Sequence, residues 1–431
     1  MTASNTSINT DDTPAGALKG KEAFGLYVFF SAMIFTLGVA GGLASLPVSF
    51  YLKNTLHLSP NVMARFGAIV SLPSYFGFVA GFVRDRWKPF RQGDAGYFIL
   101  TLPILASINL WLAYSHLSYN GILYPYLVFG IVSSLLSSAL AGMEVSAAQR
   151  FSLSGRMVAM SAVIGVLPGI VTSVSGGWLT SHVPVKTVFI VSAGVYGVAL
   201  LLSFWRPKSV FELAPRQIQA AKESAWHAIV RMVRHRELWP SYLIMFLFVF
   251  APGWGTPLFY YLTDTVHLTE QQYGNTQAFG GVAVLFVGFS YGYLCQKIRL
   301  KSLLFVGTIL AVISGPAYLL IHNYKMAMVV TLGTGILVGY ANSAYKDLLF
   351  RSYPTALEGT GTAIMSSITS ATNVSSDLVG AALYTRGGFK LALIITTITT
   401  ALILPALLLV PRKLTQGHDG DPLLELIVDP E

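Results

Sequence analysis

The sequence predicts an all-α membrane protein with twelve transmembrane helices in two pseudo-symmetric six-helix bundles. Three observations carry that prediction. The first is composition: of 431 residues, 54% are hydrophobic and only 11% charged, whereas a soluble domain carries roughly 25% charged residues. Most of this surface must face something other than water. The second is a recurrence of apolar runs of about 20 residues, the length a helix needs to cross ~30 Å of hydrocarbon. The third is an internal repeat. Pro257-Leu-Phe-Tyr-Tyr-Leu-Thr-Asp-Thr-Val-His-Leu268 repeats Pro47-Val-Ser-Phe-Tyr-Leu-Lys-Asn-Thr-Leu-His-Leu58, with Pro, Tyr, Leu, Thr, His and Leu in register. Gly288-x-x-x-Gly292 followed by Gln296-Lys297 echoes Gly77-x-x-x-Gly81 followed by Asp85-Arg86, one residue out of step. A weaker echo pairs Leu153-x-Gly155-x-x-x-Ala159 with Leu357-x-Gly359-x-x-x-Ala363.

Hydropathy, Gly/Pro breaks and charge clusters divide the chain in order. Residues 1–22, rich in Ser, Thr, Asn and Asp without a basic n-region or cleavage site, read as a disordered cytoplasmic tail rather than a signal peptide. The first bundle, 23–205, holds spans near 24–50, 60–83, 95–115, 122–148, 157–181 and 186–205. A linker follows at 206–237. The second bundle, 238–410, holds spans near 238–263, 272–296, 302–321, 324–348, 359–384 and 389–410, and 411–431 is a second cytoplasmic tail. Long continuous apolar runs, without the alternation of a membrane barrel, exclude sheet. With a cytoplasmic N-terminus, roughly 22 of the 28 Lys and Arg residues fall in cytoplasmic loops or tails. That asymmetry is the positive-inside signal of cytoplasmic termini, in a chain expected in the cell's inner (plasma) membrane, so the net charge of +9 reports topology and not nucleic-acid binding.

Within the linker, Pro215 to Arg236 reads as an amphipathic helix, with Ile218, Ala225, Trp226, Ile229 and Val233 on one side and Lys222, Arg234 and Arg236 among the rest. Such a helix either lies on an anionic leaflet or ties the bundles together in solvent. Small residues recur at spacing four in Gly38/Gly42, Gly77/Gly81, Gly165/Gly169 and Gly288/Gly292. These pairs suggest close helix packing and surfaces where the halves slide.

Soluble chemistry finds little support. Gly288-Phe-Ser-Tyr-Gly292 fits G-x-S-x-G but lies inside an apolar span, not on a strand-to-helix elbow. Asn373-Val374-Ser375 fits a glycosylation sequon at an unreachable depth. No HExxH, CxxC or P-loop occurs, so neither metal nor cofactor is expected, and the single Cys295 excludes an internal disulfide.

Ionisable residues inside spans are the informative ones, because each costs about 2.5–3.5 kcal/mol at the bilayer centre on insertion scales. Asp377 shares one helix face with Ser366, Ser370, Asn373 and Tyr384. Such a stripe must face protein or a watery cavity; Asp377 is read as a proton or substrate group, or as a hydrogen-bond partner of a neighbouring helix. Glu144 ends a similar stripe, Ser133 and Ser137, about 9 Å along the axis from Arg150 at 1.5 Å per residue. Lys346-Asp347 occupies the corresponding end of the tenth span. His57 and His267 follow the repeated Tyr-Leu and read as an inherited turn. Trp254, Tyr260 and Tyr261 crowd the seventh span, where Pro252-Gly-Trp-Gly-Thr-Pro257 interrupts the helix and points to a binding region or gate.

Gly81-Phe-Val-Arg-Asp85-Arg86-x4-Arg91 resembles the G-x-x-x-D-R-x-x-x-x-R inner-loop motif of the major facilitator superfamily, between spans two and three as that family has it. Within it, Gly42 to Pro60, Ala251-Pro252 with Phe259-Tyr260-Tyr261-Leu-Thr, Tyr273-Gly274, and Ser366-Ser367 with Asn373 and Gly380 are similar to the folate–biopterin transporter family. The chain departs from that family in carrying one carboxylate, Glu144, where a pair is frequent, and Gln296-Lys297 where the first half has Asp85-Arg86. The resemblance implies a secondary transporter working by alternating access, with spans one, four, seven and ten lining a central cavity. Its cargo would be a small organic solute such as a pterin or folate, and its oligomeric state monomeric. It further implies a cytoplasmic gate latched by Asp85, which would pair with Arg150 or cap the start of span eleven, with Arg86, Arg91, Lys346 and Asp347 around it. Glu144, Asp377, Asn373, Trp254, Tyr260 and Tyr261 are the expected substrate or proton-coupling residues. The muropeptide permeases share the Gly-Leu-x-x-Leu-Pro start and the Asp-Arg loop and are the alternative, together with a non-transporting receptor on the same fold.

Overall fold

The computed structural model describes residues 20–150, 154–205, 235–236, 238–353 and 358–415, all helix and connecting loop. The two expected tails lie mostly outside them, and the expected linker helix lies outside them but for Arg236 and His235. Nine helices among the described residues are long and apolar enough to cross a membrane. One, Ile364–Leu409, is two crossings: the chain turns at Gly387 and Gly388 (φ 67°), and Gly380 and Thr396 on either side both meet the Pro252-Gly253 loop. Two further crossings are broken into pieces too short to qualify alone. The second span is Pro60–Val70, Leu72–Tyr75 and Gly77–Arg86. The seventh is Leu238–Val249, then Thr256–Tyr260 running into a π-helical turn, Tyr261–Thr265. The remainder follow the expected order: Gly20–Gly42 continuing to Thr55, Ala95–Tyr114, Tyr119–Arg150, Ser154–His182, Val185–Phe204, Glu270–Leu294, Leu300–Ser314 and Tyr324–Ser352.

Lipid tails are as apolar as leucine, so packing between spans rests on close fit and interhelical hydrogen bonds. Gly38 shows the fit: a Cβ added there would stand 2.6 Å from Pro168, a proline inside the helix of span five. Ser241 and Ser352 share a hydrogen bond of 2.6 Å between spans seven and ten, and Thr308 and Tyr345 one of 2.7 Å between nine and ten. Three of the four buried apolar clusters stay within one half. Two join spans of the first half around Phe29, Met33 and Leu102, and around Leu52, Leu112 and Phe189; a third gathers Ile244, Leu304, Ala341 and Ile403 in the second half. The fourth crosses between halves, setting Phe50 against Phe259, Tyr260 and Tyr273.

The internal repeat is a structural unit. Tyr51–Thr55 and Tyr261–Thr265 are both π-helical turns. The Leu56 and Val266 N–H groups return to the Tyr51 and Tyr261 carbonyls at 3.1 Å, and Leu58 and Leu268 to Leu52 and Leu262. Between them His57 and His267 stand at φ 51° and 58°, a left-handed conformation uncommon outside glycine, though histidine, like asparagine and aspartate, takes it more readily than other residues. The Tyr51 hydroxyl donates to the Leu117 carbonyl at 2.9 Å, and Tyr261 to Ile321 at 2.8 Å. The same wide turn thus closes the first span of each half on the loop between its third and fourth spans. This end of the molecule is called the repeat end below, and the opposite one, with the Arg84–Arg91 loop, the basic end.

The glycine pairs at spacing four behave unequally. Gly38 and Gly42 pack on span five, whereas Gly165, Gly169, Gly288 and Gly292 have no described atom within 4 Å of an added Cβ. The close approach between halves falls on another pair: at Gly274 a Cβ would run into the Ser173 carbonyl and lie 3.0 Å from the Gly177 Cα. Spacing identifies a small surface without saying which helix occupies it.

Candidate functional site

The break in span seven, residues 250–255, leaves helix-end groups without partners in their own helix. Side chains of spans eleven and twelve take them up. Asp377 accepts the Thr256 N–H at 2.7 Å on Oδ1 and the Thr256 hydroxyl at 2.8 Å on Oδ2. Thr396 accepts the Gly253 N–H at 2.6 Å, and the Thr399 hydroxyl donates to the Phe250 carbonyl at 3.0 Å. Gly255 sits at φ 67°, ψ −128°, and a Cβ there would stand 2.6 Å from Asp377 Oδ1, so the turn and the carboxylate both require glycine. An anion at the start of a helix also meets its positive end. Asp377 therefore holds the restart of span seven, 121 residues away in sequence.

The rest of the polar stripe on span eleven is more open. Asn373 and Ser366 are exposed, and Ser370 and Tyr384 half-buried. Of the aromatics, Trp254 meets Tyr318 edge-on at 4.3 Å, and Tyr261 stacks on Phe389 at 4.2 Å. The Tyr260 hydroxyl donates across the halves to the Leu58 carbonyl. On span four, Glu144 Oε1 accepts the Ser161 hydroxyl of span five. The Ser290 hydroxyl bonds Tyr340 at 2.6 Å and its own helix at Phe286, which leaves the G-x-S-x-G match a coincidence of spacing.

At the repeat end the halves are locked together. Lys53 extends from the first turn to the second, donating to Thr263 at 2.6 Å and pairing with Asp264. Its ammonium lies 5.2 Å from the Tyr260 ring centre and 5.5 Å from that of Phe259. Asn54 reaches Glu270 at 3.4 Å and Asn61 reaches Thr385 at 3.3 Å. None of these was singled out from the sequence, although Lys53 stands where the repeat has Thr263 and beside the position that has Asp264.

The basic end is arranged within each half. Arg84 holds both oxygens of Asp94 at 3.0 and 2.7 Å, and Lys88 adds a third contact at 3.0 Å. Arg86 lies over the Phe82 ring, Arg91 and Lys346 are exposed, and Asp347 takes Arg351 of its own helix at 2.8 Å and the Tyr291 hydroxyl at 3.3 Å. The side chains of Asp85 and Arg150, and the start of span eleven, lie outside those described. Among the described residues no ion pair joins the halves at this end, and no group of three metal-ligating side chains occurs.

Comparison with known proteins fits this geometry. A model of the BT1 family matches residues 37–330, and one of the Major Facilitator Superfamily matches 253–423. The chain is 26% identical over 421 residues to a protein named "Folate-biopterin transporter" from Synechocystis sp., covering 91% of this chain and 81% of that one. It is 26% identical over 277 residues to "Probable folate-biopterin transporter 7" of Arabidopsis thaliana, covering 61% of each. Among solved structures it superposes on the nucleoside transporter NupG with a TM-score of 0.68 at 10% identity, covering 89% of this chain and 99% of that one. A D-xylose-proton symporter gives 0.64 at 13% identity, over 89% and 96% of the two chains. A POT family transporter in complex with 5-aminolevulinic acid gives 0.68 at 13%, over 90% and 96%. The likeness to these three is one of fold: two six-helix bundles side by side.

Proposed function

The chain belongs to the BT1 family, and on that premise we propose that it is a secondary transporter moving a pterin-like or folate-like solute across a membrane by alternating access. One observation carries the reading. The halves are joined at the repeat end by Lys53, Phe50 and the Gly177–Gly274 approach and, deeper along spans five and eight, by Ile170 against Gly281; beyond it toward the basic end Gly165, Gly288 and Gly292 meet no described neighbour. Contact at one end and separation toward the other is what an alternating-access protein has in one of its two states.

The cargo assignment rests on the relatives' names and on the chemistry available. An ionised carboxylate accepts two parallel N–H bonds, and a pterin edge offers an amino group beside a ring N–H. Glu144, with one oxygen on Ser161, is the candidate for that contact, and Asn373 and Trp254 supply an amide and an aromatic face. Asp377 is the candidate for proton coupling. Protonation on Oδ2 reverses the bond to the Thr256 hydroxyl and removes the negative charge that meets the helix start, weakening the bond from the Thr256 N–H. Proton arrival would thus loosen the restart of span seven. The basic end faces the cytoplasm in this reading, as the basic asymmetry favours, and the membrane assigned is the plasma membrane.

The test is uptake of labelled folate and biopterin into liposomes holding the purified protein, with and without an inward proton gradient. Asp377→Asn should abolish uphill uptake and spare exchange; Glu144→Gln should weaken binding. No uptake of either compound above protein-free liposomes overturns the cargo, and wild-type accumulation by both variants overturns the carboxylate roles. Cysteines placed at Asn120 and Lys325 should react with an impermeant reagent from outside intact cells, and one at Gln92 should not; the reverse pattern overturns the orientation.

A further inference from the structure

The loop between spans two and three is built more rigidly than a connector requires. Phe90 and Arg91, neither of them glycine, stand consecutively at φ 54° and 57°, and Gly93 follows at 61°. Bulky residues keep such a conformation only when their surroundings over-determine it, and here they do. The Tyr97 hydroxyl bonds the Val83 and Trp87 carbonyls at 3.2 and 2.5 Å, and its ring meets Trp87 edge-on. Pro89 is buried, its carbonyl pressed where Gly96 has no side chain. Asp94 ties Lys88 on the loop to Arg84 on span two.

What this brace holds outward is consistent in chemistry. Phe90 is 61% exposed and Trp87 49%, and Arg86, Lys88 and Arg91 are exposed beside them. The one described acid of the loop, Asp94, turns its carboxylate inward to Arg84 and Lys88. The surface therefore offers aromatic faces and cations at the level where two spans leave the bilayer, the composition that suits the headgroup region of an anionic leaflet.

We propose that residues 86–91 form a docking surface for anionic phospholipid, with Trp87 and Phe90 seated among the headgroups and Arg86, Lys88 and Arg91 binding their phosphates. The surface is wired to the interior. A headgroup that draws Lys88 away leaves Asp94 to Arg84 alone, and Arg84 lies where a side chain on Gly142 would be, two residues from Glu144. Leaflet charge would then bear on span four. The proposal holds whatever the cargo is.

The full-length protein is placed in nanodiscs of brominated phosphatidylcholine or of brominated phosphatidylglycerol diluted to equal bromine content. Tryptophan quenching is compared between wild type and Trp87→Phe, so the difference reports Trp87 alone. That difference should be roughly twofold larger with the glycerol lipid, and the preference should vanish in Arg86→Gln/Lys88→Gln/Arg91→Gln. If the triple variant does not fold, the single change Arg91→Gln at an exposed side chain should reduce the preference measurably. Equal quenching by both lipids overturns the anionic assignment. Absence of Trp87 quenching by either shows a loop turned to water, toward a soluble partner or the other half, and overturns docking altogether.

Discussion

Replacing Lys53 by methionine isolates the lock at the repeat end. The change keeps an unbranched side chain of similar reach and removes the charge. Lys53 is 12% exposed at its side chain and Asp264 49%, so this is neither a surface pair nor a buried one. An exposed pair contributes ~0–1 kcal/mol, whereas a hydrogen bond to a charged group contributes about 1.5–3 kcal/mol. Lys53 makes one of each kind, to Asp264 and to Thr263, and adds cation–π contacts of about 0.5–1 kcal/mol at a partly exposed site. Asp264, freed, is half in water already and regains solvation, which offsets much of the loss. A net of about 1.5 kcal/mol is expected, close to tenfold in the balance between the state closed at this end and the state open there. Spin labels at Asn120 and Lys325, in the first turns of spans four and ten beside the loops that the two tyrosines anchor, and in a Cys295→Ala background, read that balance as a distance distribution. The long-distance population should grow roughly tenfold, and the cycle with Asp264→Asn should show coupling well beyond the ~0.3–0.5 kcal/mol expected of independent sites. An unchanged distribution, or additive single changes, refutes the lock.

Three further outcomes follow from the same geometry. Asp377→Ala strips both bonds from Thr256 and should lower stability by about 1–2 kcal/mol, with Asp377→Asn losing less; equal melting temperatures for all three proteins would remove Asp377 as the holder of span seven. Gly274→Val should force the halves apart at the repeat end, while Gly292→Ala should leave the label distances alone; a shift in both would mean that neither reports the interface. His57→Gly and His267→Gly relieve left-handed strain of roughly 1–2 kcal/mol each and should raise the melting temperature, and a fall in either would reveal an imidazole contact that outweighs it.

The crossings were legible because their signal is local: an apolar run bounded by charge or proline says helix wherever it is packed. The interruption in span seven was legible for the same reason, in two prolines and two glycines within Pro252–Pro257, inside a span expected over 238–263. What could not be read was pairing. Asp377 stood out as a carboxylate in a polar stripe, but its partner Thr256 carries no mark of its own. Gly165/Gly169 and Gly38/Gly42 have the same spacing, and only the second meets a neighbour; on span five it is Ile170, beside Gly169, that packs on Gly281 of the other half. Lys53 was passed over as an ordinary loop cation. Its burial between two rings and a carboxylate belongs to the other half of the chain, and no window around residue 53 contains it.

The register of the repeat gives Lys53 a further meaning. Tyr51 corresponds to Tyr261, so Lys53 corresponds to Thr263, and the residue it bonds 210 positions on is its own counterpart. A contact between a position and its copy lies on the pseudo-twofold axis itself. Had the protein once been a dimer of identical halves, two lysines there would have faced each other and repelled, and two threonines would have closed nothing by charge. The lock therefore depends on the two copies being different: one carries the cation, the other a hydroxyl with an acid beside it, and the single chain keeps the two in fixed partnership. In a single chain an axial position does not have to be complementary to itself.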